Sequence, residues 1–173
     1  MSKQRIIIIV AIIAVCAFGG YLLYMNPESE QGIGGGSEES VYTNDTYKFS
    51  IELPEGFRAS VLPGSDDGSQ TILVQGEKDQ VQIYIALFDQ DIGLTPERVQ
   101  ADIPDMAMED AGYREVRIPE GATIDALTFD SVDESFGPTY NAWFIYGGSI
   151  YQLTSRADAG DVIDDILESW KFL

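Results

Sequence analysis

The chain contains no histidine, and its single cysteine, Cys16, lies in an apolar stretch near the start. Residues 41–173 therefore hold neither an imidazole nor a thiol. This absence excludes Ser-His-Asp and Cys-His nucleophile systems, zinc sites built on imidazole or thiolate, and disulfides within these residues. Phosphate-binding loops of the GxxxxGK and GxGxxG types are also missing. Enzymes of all these classes are therefore not expected.

Basic residues are scarce, at 10 Lys and Arg against 29 Asp and Glu. Eight of the basic residues and 25 of the acidic ones lie in residues 41–173, which gives that segment a net charge of −17. Nucleic acids and anionic lipid surfaces need clustered Lys and Arg, so neither is an expected partner. With so many carboxylates, a pair at glycosidase spacing arises by chance, so their number does not indicate catalysis.

The chain also contains one long apolar run, Ile6–Met25, which has 20 residues and no charge. As a helix it would be about 30 Å long, which matches the hydrocarbon thickness of a bilayer. Lys3 and Arg5 precede the run, and the positive-inside rule then places residues 1–5 in the cytoplasm. The sequence predicts a single-pass anchor in the cell membrane over residues 6–25, with residues 41–173 extracytoplasmic.

Two alternatives for this run stay open, and both keep the rest of the chain outside. It could be a signal peptide cleaved near Val15-Cys16-Ala17. It could instead be a lipoprotein signal, because "IAVC" resembles a lipobox with Cys16 as the lipidated residue, although Val15 stands where that pattern has a small residue. Residues 26–40, rich in Gly, Ser and Glu, predict a flexible linker spanning roughly 20 Å.

From Val41 onward the pattern is mostly that of strands. Tyr47–Pro54 alternates apolar and polar residues, as in a half-buried strand. Two shorter strands, "FRASVLP" and "TILVQGE", flank the turn "GSDDGS" and favour a meander. Val81–Phe88 is apolar on both faces, which is typical of a strand in the middle of a covered sheet.

Two helices are predicted. The first begins with Thr95 as N-cap and Pro96 at the first helical position, and helical spacing continues to a stop at Gly112, with a kink or split at Pro104. The second covers the closing segment "DAGDVIDDILESWKFL". Its apolar residues form one stripe, as in a helix lying on a sheet; they are Val162, Ile163, Ile166, Leu167 and Trp170.

Between the helices, strands are predicted in "YREVRIP" and "ATIDALTFD". A hairpin follows them, and its two strands are Thr139–Tyr146 and Ser149–Ser155. Gly147-Gly148 supplies the positive φ angles of a tight turn. Aromatic rings occur on both faces of this hairpin, which favours core packing, with a ligand site as the alternative. We expect the hairpin to lie centrally in the sheet, with Trp143 and Trp170 buried.

The order of these elements resembles the PsbP-like α/β/α sandwich of extrinsic photosystem II proteins and of small bacterial secreted or membrane-anchored proteins. The matching segments are "YKFSIELPEGF", "VQIYIALF", the helix after "TPERV", "WFIYGGSIYQLT" and "ILESWKFL". The resemblance implies an α+β fold with an antiparallel β-sheet covered by helices on both faces over residues 41–173. It implies no common catalytic centre and carries over no functional residue.

Acidic loops are candidate calcium-binding sites, because calcium prefers oxygen ligands. Asp89 and Asp91 are spaced as at the start of an EF-hand loop, but Gly93 and Gln100 occupy later ligand positions, so that pattern fails. Asp66 and Asp67 in "SDDGS" are further candidates, as is "DAGDVIDD", and each is equally well explained as a turn or as helix capping. We expect no cofactor, with Ca²⁺ at these aspartates as the open alternative.

These observations predict a non-catalytic, membrane-anchored module of a bacterial envelope that interacts with, or is accessory to, an envelope protein. The alternative is an extracytoplasmic domain that binds calcium or a small solute.

Overall fold

The structure, a computed structural model, describes residues 41–63, 68–88, 93–133 and 136–173. Within these ranges, ten strands form one sheet, accompanied by two α-helices and two short 3-10 helices. The strands are β1 (Val41–Asn44), β2 (Phe49–Glu52), β3 (Arg58–Val61), β4 (Gln70–Gln75), β5 (Gln80–Leu87), β6 (Ala107–Arg117), β7 (Thr123–Asp133), β8 (Gly137–Tyr146), β9 (Ser149–Arg156) and β10 (Lys171–Phe172). The helices are α1 (Pro96–Asp102), α2 (Gly160–Ser169) and the 3-10 turns Pro119–Gly121 and Ala157–Ala159.

The strand order is β1-β2-β10-β6-β7-β8-β9-β5-β4-β3. The predicted meander is confirmed, since β3, β4 and β5 are consecutive antiparallel neighbours. The predicted interior position of β5 is also confirmed, because it lies between β4 and β9. The expectation of an antiparallel sheet needs one correction: β10 runs parallel to β6, with Lys171 opposite Arg117.

The β8-β9 hairpin occupies the middle of the sheet, as predicted. Its turn is formed by Gly147 and Gly148, whose φ angles are 59° and 76°. These values lie in the left-handed region that only glycine adopts at little cost. The turn fixes the register, which places Phe144 opposite Tyr151 and Trp143 opposite Gln152.

Alternate residues of this hairpin enter two different apolar clusters. On one face Phe144, Tyr151 and Leu153 pack with Ile163 of α2 in what we term the first core. On the other face Trp143 and Ile150 pack with Val99 of α1 in the second core. The two helices therefore lie on opposite faces of the sheet, and the rings of the hairpin fill core on both sides. Trp143 and Trp170 are 1% and 0% exposed, as predicted.

The sheet curls so that strands from its two ends meet around the first core. The Asn44 side-chain amide of β1 donates to the side-chain carbonyl of Gln70 in β4. The Tyr47 hydroxyl also donates to the Gly68 carbonyl, at 3.0 Å. Because β1 is one edge strand and β4 is next to the other edge, these contacts require strong curvature.

The first predicted helix is shorter than expected. Thr95 caps it as predicted, accepting a hydrogen bond from the Arg98 amide, but α1 ends at Asp102 and residues 107–117 form β6. Ile103 leaves the helical region, at φ −121° and ψ 85°, because the residue before a proline, here Pro104, is disfavoured in the helix. Pro104 thus ends the helix rather than kinking it.

The closing helix is also shorter. It ends at Ser169, and Trp170 is extended at ψ 129°, so that Lys171 and Phe172 add the short strand β10 between β2 and β6. The predicted apolar stripe is confirmed, since all of its members are buried, although Trp170 lies just beyond the helix.

Within the described residues, no helix is long and apolar enough to cross a membrane. The predicted span Ile6–Met25 and the predicted linker over residues 26–40 both lie outside the described residues.

Candidate functional site

Beside the second core, the same face of the sheet carries buried polar side chains in place of apolar ones. Thr139 and Asn141 precede Trp143 on β8, and Thr154 and Gln152 lie opposite Asn141 and Trp143 on β9. Because side chains alternate along a strand, all five share one face. Thr139, Asn141 and Gln152 are buried. Buried amides and hydroxyls need hydrogen-bond partners, so this region requires a specific arrangement.

Asn141 supplies most of that arrangement. Its Nδ2 donates to Ser131 Oγ at 3.0 Å, to Thr139 Oγ1 at 3.3 Å and to the Phe129 carbonyl at 3.4 Å. Its Oδ1 accepts from Thr154 Oγ1 at 2.9 Å. The network thus fixes the Thr154 hydroxyl hydrogen on Asn141 and leaves the lone pairs of Oγ1 as acceptors for another donor.

A pocket of about 260 Å³ lies where β8 begins and β9 ends. Five of its ten lining residues carry a hydroxyl or amide group, and the others include one aromatic ring and three charged side chains. The lining residues are Lys78, Asp79, Gln80, Gln82, Phe136, Thr139, Thr154, Ser155, Arg156 and Ala159. Ser155 is held in place by hydrogen bonds from its hydroxyl to the Arg156 and Ala159 carbonyls, at 3.0 and 3.3 Å.

Local turns bring the remaining wall residues to the pocket. The β4-β5 turn is closed by a hydrogen bond from the Gly76 amide to the Asp79 carbonyl at 2.9 Å, which positions Lys78 and Asp79 beside Gln80. On the other side, the Phe136 amide donates to Asp133 Oδ1 at 2.9 Å at the start of β8. The pocket is therefore built on short, hydrogen-bonded connections between neighbouring strands.

The charges around the pocket balance one another. Arg156 pairs with Asp158 at 2.7 Å, and the lining adds one further cation, Lys78, and one carboxylate, Asp79. Both members of the Arg156–Asp158 pair are largely exposed, so the pair contributes little to stability. The charged lining residues and Asp158 thus sum to zero, in a domain of strongly negative net charge.

A separate group of titratable residues lies on the first-core face. Asp164 of α2 accepts from the Tyr140 hydroxyl at 3.1 Å and pairs with Arg114 at 3.3 Å. Burial, followed by the Asp164 charge, raises the pKa of Tyr140. The hydrogen bond that Arg114 donates to Asp164, followed by the charge of that carboxylate, raises the pKa of Arg114. These contacts attach α2 to β6 and β8, which accounts for the group without a ligand.

The predicted calcium ligands Asp66, Asp67, Asp89 and Asp91 lie outside the described residues. Within the described ranges, no group of three or more acidic, histidine or cysteine side chains is placed to hold a metal ion. In "DAGDVIDD" three of the four carboxylates have other partners: Asp158 contacts Arg156, Asp161 accepts from the Val162 amide at 3.0 Å, and Asp164 binds Arg114 and Tyr140.

The polar network around Asn141 was not predicted, although the sequence contains a signal for it. Gln82, Asn141 and Gln152 interrupt strands whose neighbouring residues are apolar on both faces. In a sheet expected to be covered on both sides, amide side chains at adjacent central positions indicate a buried polar network.

No model of a known protein family matches the chain, and neither does any curated protein sequence. The fold is similar to the solution structure of cyanobacterial PsbP (CyanoP) from Synechocystis sp. PCC 6803, with a TM-score of 0.51. The similarity covers 85% of this chain and 99% of that chain, at 14% sequence identity. At this identity the similarity concerns the fold and carries no functional residue. The chain has a PsbP-like fold.

Proposed function

We propose that residues 41–173 form a non-catalytic binding module, and that its binding site is the polar pocket, which takes a small, neutral, hydroxyl-rich solute. The observation that carries the proposal is the Asn141 network, which orients the Thr154 hydroxyl at the pocket wall before any ligand arrives. A binding group fixed in advance loses little conformational entropy on binding, so the network favours recognition.

The size and charge of the pocket support this class of ligand. Its volume of about 260 Å³ is below the roughly 300–1,000 Å³ of pockets for drug-sized ligands, which favours a small solute. Balanced charges give no preference for an anion or a cation. Phe136 supplies an apolar surface for the C–H face of a polyol or sugar ring, while Thr154, Gln80 and Gln82 supply polar contacts.

The chemistry of the pocket argues against catalysis. Asp79 is the sole carboxylate among its lining residues, whereas glycoside hydrolysis by the common route uses two. The absence of histidine from the chain, and of cysteine from residues 41–173, removes the usual nucleophile and general-base pairs. A site with hydroxyls, amides and a single carboxylate can bind a sugar without cleaving it.

We also propose that the module is held at the outer side of the cell membrane. The charge-free run Ile6–Met25 would anchor the module in the cell membrane, with residues 26–40 as the linker and the pocket on the extracytoplasmic side. There the module would serve as an accessory to an envelope protein that handles the same solute. Retention of the chain in the membrane fraction after alkaline extraction would support the anchor.

The proposal is tested by titrating the ¹⁵N-labelled full chain in detergent micelles with glycerol, glucose and N-acetylglucosamine. We expect saturable shifts of backbone amides in residues 78–82, at Thr139 and in the 154–156 segment, while the proton spectrum of the solute stays unchanged over hours. Absence of shifts with all three solutes would contradict the binding role. Chemical conversion of a solute would contradict the non-catalytic role.

A further inference from the structure

Among the described residues, two buried polar atoms on the second-core face have no hydrogen-bond partner. They are Nε1 of Trp143 and Oε1 of Gln152, in side chains that are 1% and 2% exposed. An unsatisfied buried donor or acceptor destabilises the folded state, so native proteins rarely retain one without an occupant beside it. Here one atom is a donor and the other an acceptor.

The two residues face each other across the central hairpin. Trp143 of β8 and Gln152 of β9 are direct cross-strand partners, and both side chains emerge on the same face. Side chains at such positions have Cβ atoms about 4.5–5.5 Å apart. The two side chains are therefore neighbours on the face of the sheet that α1 covers, and no direct hydrogen bond joins them.

The chemistry of this pair selects its occupant. A carboxylate can accept from the indole N–H but cannot donate to the Gln152 carbonyl, and an ammonium can donate but cannot accept. A hydroxyl does both. We infer that a single hydroxyl-bearing molecule lies between Trp143 and Gln152, accepting a hydrogen bond from Nε1 and donating one to Oε1.

Trp170 provides an internal comparison. Its Nε1 is also buried without a partner, but its ring is enclosed by the aromatic rings of Phe49, Phe144, Tyr151 and Phe172, at centroid distances of 4.2, 5.2, 5.7 and 5.9 Å. Aromatic faces accept an N–H only weakly, and none of the other fully buried polar atoms without a partner belongs to these rings. The same donor group thus lies in a dry environment at Trp170 and beside an acceptor at Trp143.

The proposed position is distinct from the pocket. Gln152 is two residues before Thr154 on β9, which places it roughly 7 Å further along the strand, and it does not line the pocket. The inference therefore does not depend on the proposed function. The hydroxyl can come from solvent water or from a small solute that enters beneath α1.

The test uses the ¹⁵N-labelled full chain in detergent micelles and measures cross-relaxation between water and the two indole Hε1 protons. We expect a cross peak from a long-lived water at Trp143 and none at Trp170. If the contact appears only after glycerol is added, with cross peaks to glycerol protons, the hydroxyl comes from a solute and the site still stands.

Gln152→Met keeps the length of the side chain but removes the acceptor, so the hydroxyl contact at Trp143 should be lost while the remaining spectrum stays that of a folded chain. The inference is overturned if the wild-type Trp143 proton contacts neither water nor glycerol, or if the two indoles behave alike. It is also overturned if the contact persists in Gln152→Met. The wild-type comparison of the two indoles remains decisive even if the variant fails to fold.

Discussion

The indole of Trp170 stacks on the ring of Phe49, with centroids 4.2 Å apart and planes inclined by 15°. Phe49 lies in β2, near the start of the described domain, and Trp170 follows α2, near its end. The contact directs the chain after α2 into the gap between β2 and β6, where β10 forms. The first core is thus closed by residues that are far apart in the sequence.

Replacing Trp170 with alanine should remove this closure. A fully buried aromatic truncated to alanine typically costs about 3–5 kcal/mol, and we expect that loss in the free energy of unfolding. The measurement is urea denaturation followed by circular dichroism. Tyr113→Ala is the control, because Tyr113 is 51% exposed and its removal should cost much less. A loss below about 1 kcal/mol for Trp170→Ala would contradict the described packing.

The Gly147-Gly148 turn between β8 and β9 leads to a second prediction. Gly147→Val places a β-branched side chain at φ 59°, where left-handed backbone costs non-glycine residues roughly 1–2 kcal/mol or more. Gly147→Asn should cost less, because asparagine adopts this region more readily. Gly93→Ala is the matched control, since no positive φ and no neighbour within 4 Å constrain it. Equal thermal midpoints for Gly147→Val and Gly93→Ala would show that the turn differs from the one described.

Alkaline pH should destabilise the domain through Tyr151. Burial, reinforced by the phenols of Tyr47 and Tyr146, raises the pKa of Tyr151 from 10.0 to about 12. Because the pKa is higher in the folded state, the contribution of Tyr151 to stability is complete below pH 10 and is lost as the pH rises to about 12. Urea denaturation between pH 9 and 12 should show this fall, and Tyr151→Phe should make it shallower. An unchanged slope in the variant would exclude Tyr151 as its cause.

The charge of residues 41–173, −17, predicts a dependence on salt. Screening of like charges should raise the thermal midpoint of the full chain, by roughly 2–5 °C between 20 and 500 mM NaCl. Calcium at matched ionic strength should add nothing further. An additional rise with calcium would instead favour a specific site, with Asp66, Asp67, Asp89 and Asp91 as the residues to mutate.

The parts of the fold that were predicted correctly depend on local rules. The alternation in Phe49–Glu52, the two glycines of the hairpin and the apolar stripe of α2 each determine their structure over a few residues. The errors occurred where distant strands compete with local periodicity. Residues 107–112 continue the helical spacing of α1, but they pair with β7, and Phe172 continues the helix pattern but joins β2.

The candidate site was less predictable, for the same reason. Asn141, Thr154 and Ser131 come from three strands, and they meet because of register, which a single strand's pattern does not reveal. The sequence does show that polar residues lie in central strands. It does not show that the Asn141 side chain forms hydrogen bonds with four neighbours while a pocket opens beside Thr154.

The most direct test of the account is the affinity of the full chain for the solute that gives the largest shifts, measured by calorimetry in Thr154→Val and Thr123→Val. Both changes replace one hydroxyl with a methyl group, but Thr154 lines the pocket whereas Thr123 is exposed at the opposite end of β7. Loss of one hydrogen bond should weaken binding about three- to tenfold in Thr154→Val and leave Thr123→Val unchanged. Equal affinities in the two variants would contradict the claim that the polar pocket is the binding site.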